Sequence, residues 1–476
     1  MSVMGDSKAA KAMRQSNNEW SNKYFAIAIG VAKRFGWISV ANLVLLVFLA
    51  LKSTPLAPLT GRSYEKLGPL HKVAGYTCIF TSCLHGIVYL VAWSESGKLG
   101  SMQETENIAG SIAGVAMVII GLSTITYIMR ESYEIFYVLH LTMFLLIIIT
   151  VAMHRPKLST STLIIVVFTA CLWAMDRIIR GIKTVWYFLG NSATVTVLPN
   201  NALRVRLGRS MNFSPGSHAL LWVPGIRLFE SHPFTLLSSS PPEFVIRVHN
   251  GFTRGLYKAV QQAPGRSLRC SVDGAYGQVP NFRVFDKAVL VAGGSGASFT
   301  FAIAMDLITS TCKTVKSIYF IWIVRYQESL EWFAQELKQL QEHPDVNVVI
   351  HVTRQAEQPG TLSLLPSGSA SEKISIQEDL IHTKPPPTHH NTDLEKGPLH
   401  QFTAKDCFST NEVRQGRPDI SNFISAAADS GCKPDDRIIV GACGPKELMI
   451  ATRNAVSDIM RKDGPAITLY TEQFGW

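Results

Sequence analysis

Four histidines of the sequence occur in two pairs with the same spacing, inside two apolar segments. His85 follows His71 at position i+14, and His154 follows His140 at the same interval. This interval makes nearly four helical turns, so the members of a pair lie on one side of their helix, about 21 Å apart along its axis. The spacing predicts two levels, each with one histidine from each helix.

Two imidazoles at one level can supply both axial ligands of a haem iron. One apolar segment separates the two histidine-bearing helices, which therefore run parallel, so His71 is level with His140 and His85 with His154. The alternative, a hydrogen bond to a neighbouring carbonyl, suits one membrane histidine better than two equal pairs, because ionisable side chains there usually mark a functional path. A zinc site would need further ligands converging at one level. None of the eight cysteines forms a CxxCH motif, so the haems are predicted to be of the non-covalent b type.

Five apolar segments are long enough, or nearly so, to cross a membrane. An odd number of spans puts the chain ends on opposite faces, and Arg177, Arg180 and Lys183 after the last span predict that the soluble half is cytoplasmic. The basic N-terminal residues then lie on the outer side, against the positive-inside tendency. We therefore expect either an interfacial or re-entrant segment at 23–36 or a chain that lacks a leading helix. The segments are about 37–51, 69–93, 108–129, 134–153 and 161–180.

The net charge of +10 does not indicate nucleic-acid binding, because the Lys and Arg residues are scattered and no aromatic-basic motif accompanies them. In a membrane protein, a basic excess belongs to loops that face the cytoplasm and meet anionic lipid. The predicted partner is therefore membrane lipid and not nucleic acid.

Short alternating runs between about 194 and 277 predict an antiparallel barrel. It contains the sequence HPFT, and Gly251 and Thr253 stand at the start of a predicted helix, where free N–H groups could bind a pyrophosphate. For these residues alone, an ordinary helix cap and a proline-fixed turn are the simpler interpretation. The residues concerned are His232, Pro233, Phe234, Thr235, Ser238, Gly251 and Thr253.

The next part of the sequence has the strand, glycine turn and helix order of a dinucleotide-binding unit. The strand KAVLVA precedes Gly293, Gly294 and Gly296, although the motif is not GxGxxG. Arg325 follows the next strand, where NAD-binding folds often carry an acidic residue, so NADPH is favoured over NADH. A Pro-, Ser- and Thr-rich tract at about 355–417 is predicted to be a disordered insertion, and His389 and His390 within it are not predicted to bind metal.

In their order, the paired histidines, HPFT, GGSGAS, the Cys443-Gly444-Pro445 element and the terminal FGW resemble the ferric reductase and NADPH oxidase superfamily, and most closely the fungal metalloreductases. The resemblance covers about residues 36–476. It implies a multi-domain protein with a transmembrane helical domain, an antiparallel FAD barrel and an α/β nicotinamide domain of the ferredoxin-reductase type. The domains expected are a polar segment (1–22), the haem domain (23–183), the FAD barrel (184–285) and the NADPH domain (286–476).

The resemblance also implies roles for single residues. His71 and His140 would bind the haem nearer the cytoplasm, and His85 and His154 the outer haem. The HPFT segment would hold FAD, the three glycines the NADPH pyrophosphate and Arg325 the 2′-phosphate. Cys443 and Gly444 would lie beside the nicotinamide, and Phe474 near the flavin ring.

The expected function is electron transfer from cytosolic NADPH through FAD and two b haems to ferric or cupric chelates outside a membrane, most simply the plasma membrane. Iron or copper uptake transporters are the partners such an activity would serve. Two alternatives remain: an NADPH oxidase that makes superoxide, in which the second histidine pair is typically one residue closer, and a non-catalytic regulator. Relatives usually have a further leading helix that this sequence lacks. The sequence leaves the acceptor and the oligomeric state open.

Overall fold

The structure is a computed structural model, and it has a helical half followed by two β-containing domains. It describes only the backbone at 3–21, 58, 133–134 and 239. The described residues are 3–61, 63–125, 129, 133–154, 160–228, 230–311, 314–354, 413–430, 435–461 and 465–472.

The helical half contains five helices that are long and apolar enough to cross a membrane, counted over the described residues. This number agrees with the five apolar segments of the sequence. A short helix, α2, connects the first two of them. The helices are α1 (Val3–Ala50), α2 (Leu56–Thr60), α3 (Tyr64–Glu95), α4 (Thr105–Ser123), α5 (Tyr133–Met153) and α6 (Thr160–Phe188).

The first helix differs from the prediction, because residues 23–36 are part of one continuous helix that ends at Ala50. The continuous helix excludes a re-entrant segment at 23–36. The expectation came from the basic N-terminal residues, which bear on orientation in a membrane; charged side chains such as Lys33 and Arg34 do not break a helical backbone as proline or glycine would. The part of α1 from Asn22 to Ala50 is long and apolar enough to cross a membrane, so the candidate span begins before the 37–51 expected.

The membrane helices pack around a small shared core, and their other faces are apolar and exposed. Leu43, Cys78, Met117, Ile147 and Val166, one from each long helix, are all buried in this core. Facing outwards are apolar side chains such as Val73, Phe80, Ile149 and Ile164, each more than half exposed. Exposed apolar faces of this extent are typical of helices surrounded by lipid.

The flavin-barrel region consists of two antiparallel sheets with the order β5-β6-β2-β1-β7 and β4-β3-β8. Helix α7 (Phe252–Gln262) covers one end of the barrel, and its Phe252 and Leu256 complete the buried core. The strands are β1 (Ser192–Leu198), β2 (Ala202–Leu207), β3 (His218–Trp222), β4 (His232–Thr235), β5 (Ser238–Ser239), β6 (Pro242–Arg247), β7 (Leu268–Arg269) and β8 (Ser271–Tyr276).

The last domain is a parallel sheet with the order β12-β11-β10-β9-β13-β14 and helices on both faces. Every residue of β9 is buried, as expected for a parallel strand covered on both sides. The strands are β9 (Lys287–Gly293), β10 (Ser317–Val324), β11 (Val346–Val352), β12 (Val413–Gln415), β13 (Arg437–Cys443) and β14 (Ala466–Glu472). The helices are α8 (Ala297–Thr309), α9 (Ala334–Glu342), α10 (Ile420–Asp429) and α11 (Lys446–Met460).

Most of the predicted insertion, including His389 and His390, lies outside the described residues. Its last residues do not fit the prediction of disorder, because Val413–Gln415 form an edge strand paired with β11. Three residues are too few to give a recognisable strand pattern in the sequence.

Candidate functional site

The four histidines of the helical half meet in two pairs. The ring centres of His71 and His140 are 6.4 Å apart, and those of His85 and His154 are 6.0 Å apart. Two imidazoles that bind one metal ion at about 2 Å, with each ring centre roughly 1 Å further out, would have centres about 6 Å apart. The separations at both levels therefore fit two imidazoles that would hold one iron ion between them.

Three of these imidazoles bind backbone carbonyls through Nδ1. His71 Nδ1 is 3.2 Å from Leu46 O, and His85 Nδ1 is 2.8 Å from Ala32 O, both on α1. His154 Nδ1 is 2.6 Å from the carbonyl of Glu106 at the start of α4. A metal-binding histidine typically donates its second N–H in this way, which fixes the tautomer and leaves Nε2 for the metal.

His140 is the exception, because its Nδ1 is buried and has no hydrogen-bond partner. Its ring contacts Phe136, whose ring centre is 5.3 Å away. A metal ion at Nε2 would not satisfy this nitrogen, so the case for His140 as a ligand rests on its ring separation from His71.

Two glycines provide the space in which the rings of His85 and His154 lie. A Cβ on Gly36 of α1 would be 2.9 Å from His85 Nδ1, and a Cβ on Gly110 of α4 would be 2.4 Å from His154 Nδ1. Both distances are shorter than a non-bonded contact allows. Glycine at these positions lets each neighbouring helix approach the imidazole closely.

The alternative of a bare metal site receives no support. Among the described residues there is no group of three or more His, Cys, Asp or Glu side chains that could hold a metal ion. Two ligands per level suit a haem, whose porphyrin supplies the other four nitrogens, and do not complete a zinc site. The four histidines therefore fit two haems.

The HPFT residues form β4, which pairs with β3. His232 stacks on Phe252 of α7, with ring centres 4.6 Å apart, and Phe234 also faces Phe252 at 6.3 Å. Pro233 and Thr235 alternate with these rings and so lie on the opposite, outer face of the sheet. That face is turned towards the ends of α3 and α6.

The remaining flavin candidates lie near β4 in the barrel. Ser238 begins β5. Gly251 precedes α7 with φ 89°, a conformation that favours glycine. The Thr253 hydroxyl accepts a hydrogen bond from His249 N at 2.8 Å and donates one to His249 O at 2.9 Å. Thr253 therefore stabilises the turn that leads into α7, and the helix itself begins after Gly251 without a side-chain cap.

The outer face of β3, β4 and β8 is joined to the helical half by polar contacts. Arg180 Nε donates to Asp273 Oδ2 at 2.8 Å, and the Ser271 hydroxyl donates to Thr184 O at 2.6 Å. His218 Nε2 is 2.8 Å from Glu65 Oε1. A cavity of about 230 Å³ lies between this face and α6, beside β4. We call this contact region the junction.

The glycines of the nicotinamide domain lie where the carboxyl ends of β9 and β13 meet. A Cβ on Gly293 would be 2.6 Å from Pro445 Cδ, and a Cβ on Gly296 would be 2.6 Å from Cys443 O. Gly294 has φ 56° with open space beside it. Gly293 and Gly296 are therefore required by close packing of the two strand ends, while Gly294 meets the demand of the turn.

The other nicotinamide candidates differ in accessibility. Arg325 is exposed directly after β10, at the same edge of the sheet as Gly294. Cys443 is buried, and burial raises the pKa of its thiol to about 12. Gly444 is the next residue in the chain. Phe474 lies outside the described residues.

Sequence reasoning missed the groups that hold the predicted site residues in place. These are the carbonyls of Ala32, Leu46 and Glu106, and the paired side chains of the junction. Every residue has a backbone carbonyl, so no sequence motif could show which carbonyls bind the histidines. Leu46 does, however, follow Ala32 at position i+14, the same interval as that of the histidines they bind.

Comparison with known families matches three consecutive parts of the chain. Residues 35–151 match the ferric reductase like transmembrane component, residues 187–280 an FAD-binding domain, and residues 285–457 the ferric reductase NAD binding domain. The predicted architecture of a membrane helical domain, a flavin domain and a nicotinamide domain is thereby confirmed. The chain thus has FAD-binding and NAD-binding domains.

Curated relatives include three fungal proteins. A probable cell surface ferric reductase, kap2, of Aspergillus oryzae is 28% identical over 68% of this chain and 48% of its own length. Ferric/cupric reductase transmembrane component 2 of Schizosaccharomyces pombe is 27% identical over 74% of this chain and 70% of its length. Component 1 of Candida albicans is 24% identical over 93% of this chain and 57% of its length. The chain therefore spans between about half and 70% of these relatives.

Proposed function

We propose that this chain, which belongs to the ferric reductase superfamily, carries electrons from NADPH through FAD and two b-type haems to a ferric or cupric chelate across a membrane. The observation that carries the proposal is the meeting of His71 with His140 and of His85 with His154, at ring separations suited to bis-imidazole iron. When bound, FAD converts two-electron into one-electron chemistry, and haem iron carries single electrons.

The direction of transfer follows from the contacts of α3. Tyr64 and Glu65, at the start of α3, contact Tyr276 and His218 of the barrel. His71 lies two turns further along and His85 four turns beyond His71. The level of His71 and His140 would therefore receive electrons first, and the level of His85 and His154 would deliver them to the acceptor.

Residues of this chain would hold the cofactors in position and exclude other ligands from the haem iron. Both axial positions of each iron would be taken by imidazole, so the haems would relay electrons and would not bind oxygen at the iron. Carbonyls of α1 and α4 would fix three of the four rings. The exposed Arg325 is the candidate contact for the 2′-phosphate of NADPH, and the basic residues Arg177, Arg180 and Lys183 in the last part of α6 favour a cytoplasmic soluble half in the plasma membrane.

The test uses the full chain in isolated membranes. A dithionite-reduced minus oxidised spectrum should show low-spin b-haem bands, NADPH should reduce them, and a ferric chelate should be turned over to a ferrous product. His71→Leu and His154→Leu should each lose one haem and stop transfer. His343→Leu, a histidine in the nicotinamide domain away from the helices, is the matched control and should keep both haems.

The outcomes separate the alternatives. Absence of haem bands in the wild-type chain would overturn the histidine argument, and full activity in His71→Leu would overturn the relay. Haem bands that NADPH never reduces would instead support a non-catalytic chain. Superoxide as the product without ferrous ion would support the oxidase alternative.

A further inference from the structure

Two aromatic rings continue the row of histidines on α3, at the end of the helical half away from the junction. Tyr89 and Trp93 follow His85 at positions i+4 and i+8. The ring centres of His85 and Tyr89 are 5.0 Å apart, and those of Tyr89 and Trp93 are 5.2 Å apart. The row therefore extends about 12 Å beyond His85 along the helix.

This row faces the interior of the helical half. His85 lies against His154 of α5, with ring centres 6.0 Å apart, and rings stacked on His85 along one helix face turn to the same side. Both Tyr89 and Trp93 are half-buried. Tyrosine and tryptophan that anchor a helix at a membrane interface lie among the lipid headgroups. Anchoring therefore does not account for a row that continues the face of His85.

Residues of α1 and of the loop after α3 extend this surface. Lys98 N donates to Trp93 O at 2.8 Å, which fixes Lys98 at the end of α3. Its ammonium lies 4.5 Å from the ring centre of Phe25. Phe25 precedes Ala32, whose carbonyl binds His85, by seven residues, or about 10 Å along α1. We call Phe25, Tyr89, Trp93 and Lys98 the aromatic wall.

The aromatic wall presents hydrogen-bond donors that the chain does not use. Within the part of the chain that the structure describes, neither the Tyr89 hydroxyl nor Trp93 Nε1 binds an acceptor, and Lys98 forms no ion pair. This holds although Glu95 is only three residues before Lys98. An ammonium, an indole N–H and a phenol that are all available suit a ligand with several anionic oxygens.

We propose that the aromatic wall binds the acceptor, and that the acceptor it fits is an anionic ferric chelate with carboxylate oxygens, such as ferric citrate. The inference rests on the proposed function and assigns the binding site of its acceptor. Lys98 would pair with a carboxylate of the chelate, while Trp93 and Tyr89 would donate to its other oxygens. The chelate would then lie within about one to three helical turns of His85.

Charge makes Lys98 the decisive residue of the aromatic wall. The acidic residues at this end of the helical half include Glu95 before the loop and Glu104 and Glu106 at the start of α4. These carboxylates disfavour an anionic ligand, so its binding depends on the ammonium. Reversal of the charge at Lys98 should therefore have a large effect.

The first measurement is the binding of radiolabelled gallium(III) citrate to the purified full chain in phosphatidylcholine nanodiscs, by equilibrium dialysis. Gallium(III) has the charge of ferric ion but is not reduced, so binding is measured apart from electron transfer. Lys98→Glu should raise the Kd at least about tenfold, because a charge-assisted hydrogen bond is lost and a like charge is introduced. Trp93→Phe, which keeps a ring but removes the N–H, should raise the Kd about threefold.

The matched control is Lys338→Glu, which makes the same charge change at an exposed position of α9 and should keep the wild-type Kd.

The second measurement is the steady-state reduction of two acceptors by NADPH in the same nanodiscs. Lys98→Glu should raise the KM for ferric citrate about tenfold and leave kcat nearly unchanged. For hexaammineruthenium(III), a cationic acceptor, the KM of the same variant should stay constant or fall. The rate at which NADPH reduces the haems without any acceptor should equal that of the wild-type chain.

Wild-type values of Kd and KM in Lys98→Glu and Trp93→Phe would overturn the inference and leave the proposed function intact. Equal increases in KM for both acceptors in Lys98→Glu would also overturn it, because recognition of charge would then play no part. If Lys98→Glu does not fold, Lys98→Gln replaces it, and an unchanged Kd in that variant refutes the site. A wild-type chain that binds gallium citrate but whose haems NADPH cannot reduce would keep the site and overturn the proposed function.

Discussion

Gly110 lies against His154, and its replacement by alanine tests the haem site proposed between His85 and His154. The new Cβ would be 2.4 Å from His154 Nδ1 and 2.5 Å from its Cε1. A normal contact needs about 3.5 Å, so the ring or the helix must move by about 1 Å. The hydrogen bond from Nδ1 to Glu106 O, one turn before Gly110, is then lost or distorted.

The expected loss can be worked out from these contacts. Overpacking a site of this kind costs about 1–3 kcal/mol, and removing a histidine's carbonyl partner typically weakens metal binding about 10- to 100-fold. We therefore expect haem affinity at the level of His85 and His154 to fall by about 10- to 100-fold, which is about 1.4–2.7 kcal/mol. The level of His71 and His140 is nearly four turns away along both histidine-bearing helices and should be unaffected.

The assay is the haem-to-protein ratio of the purified Gly110→Ala chain, followed during haem transfer to excess apomyoglobin. One haem should leave faster and the other at the wild-type rate. Gly114→Ala, one turn further along α4, is the control, because a Cβ there meets open space. If Gly110→Ala keeps two haems with unchanged release rates, His154 is not an axial ligand held in the way the structure suggests.

Four further predictions concern the soluble half and its junction. Arg325→Ser should raise the KM for NADPH about tenfold and leave that for NADH unchanged in steady-state assays, because it removes one exposed cation. Lys287→Met should lower the free energy of unfolding by about 2 kcal/mol in denaturant titration, because the buried ammonium donates to three carbonyls at the end of α10. Cys443 should react with iodoacetamide at pH 8 at least about 1000-fold more slowly than a free cysteine until the chain is denatured, since its pKa is raised to about 12. The pKa of Lys52 is lowered from 10.5 to about 8, so between these pH values the unfolded chain binds more protons than the folded chain. The stability of the folded chain should therefore rise with pH across that window. In thermal unfolding measurements, Lys52→Met should flatten this rise.

The sequence predicted the parts of this molecule whose pattern is periodic. The i to i+14 interval placed each histidine pair on one helix face because the helical repeat is fixed, and the structure brings the rings of the two helices together. KAVLVA was identifiable as a buried strand because all its residues except Lys287 are apolar. The structure buries every residue of the strand, including Lys287. That each level binds a haem stays a prediction.

The parts that could not be predicted depend on contacts between distant segments. Apolar composition marked only 37–51 as the first span, whereas the backbone of α1 continues as a helix through Lys33 and Arg34. Gly293 and Gly296 were interpreted only as phosphate contacts, but their lack of a side chain also permits β9 and β13 to meet. The pairing of His218 with Glu65 joins residues that are far apart in the sequence, and no local pattern connects them.

Helix α1 bears on both histidine levels at once. Its Leu46 and Ala32 carbonyls bind His71 and His85, and the interval between the two carbonyls equals the interval between the two histidines because the helices are antiparallel. Helix α1 therefore fixes the distance between the two carbonyls that bind the histidines of α3. Insertion of a single residue between Ala32 and Leu46 would turn one carbonyl by about 100° relative to the other, so that only one histidine could keep its partner. The number of residues between Ala32 and Leu46 is thus fixed by the hydrogen bonds of their carbonyls to the two histidines, whereas most outward-facing side chains of this stretch can vary.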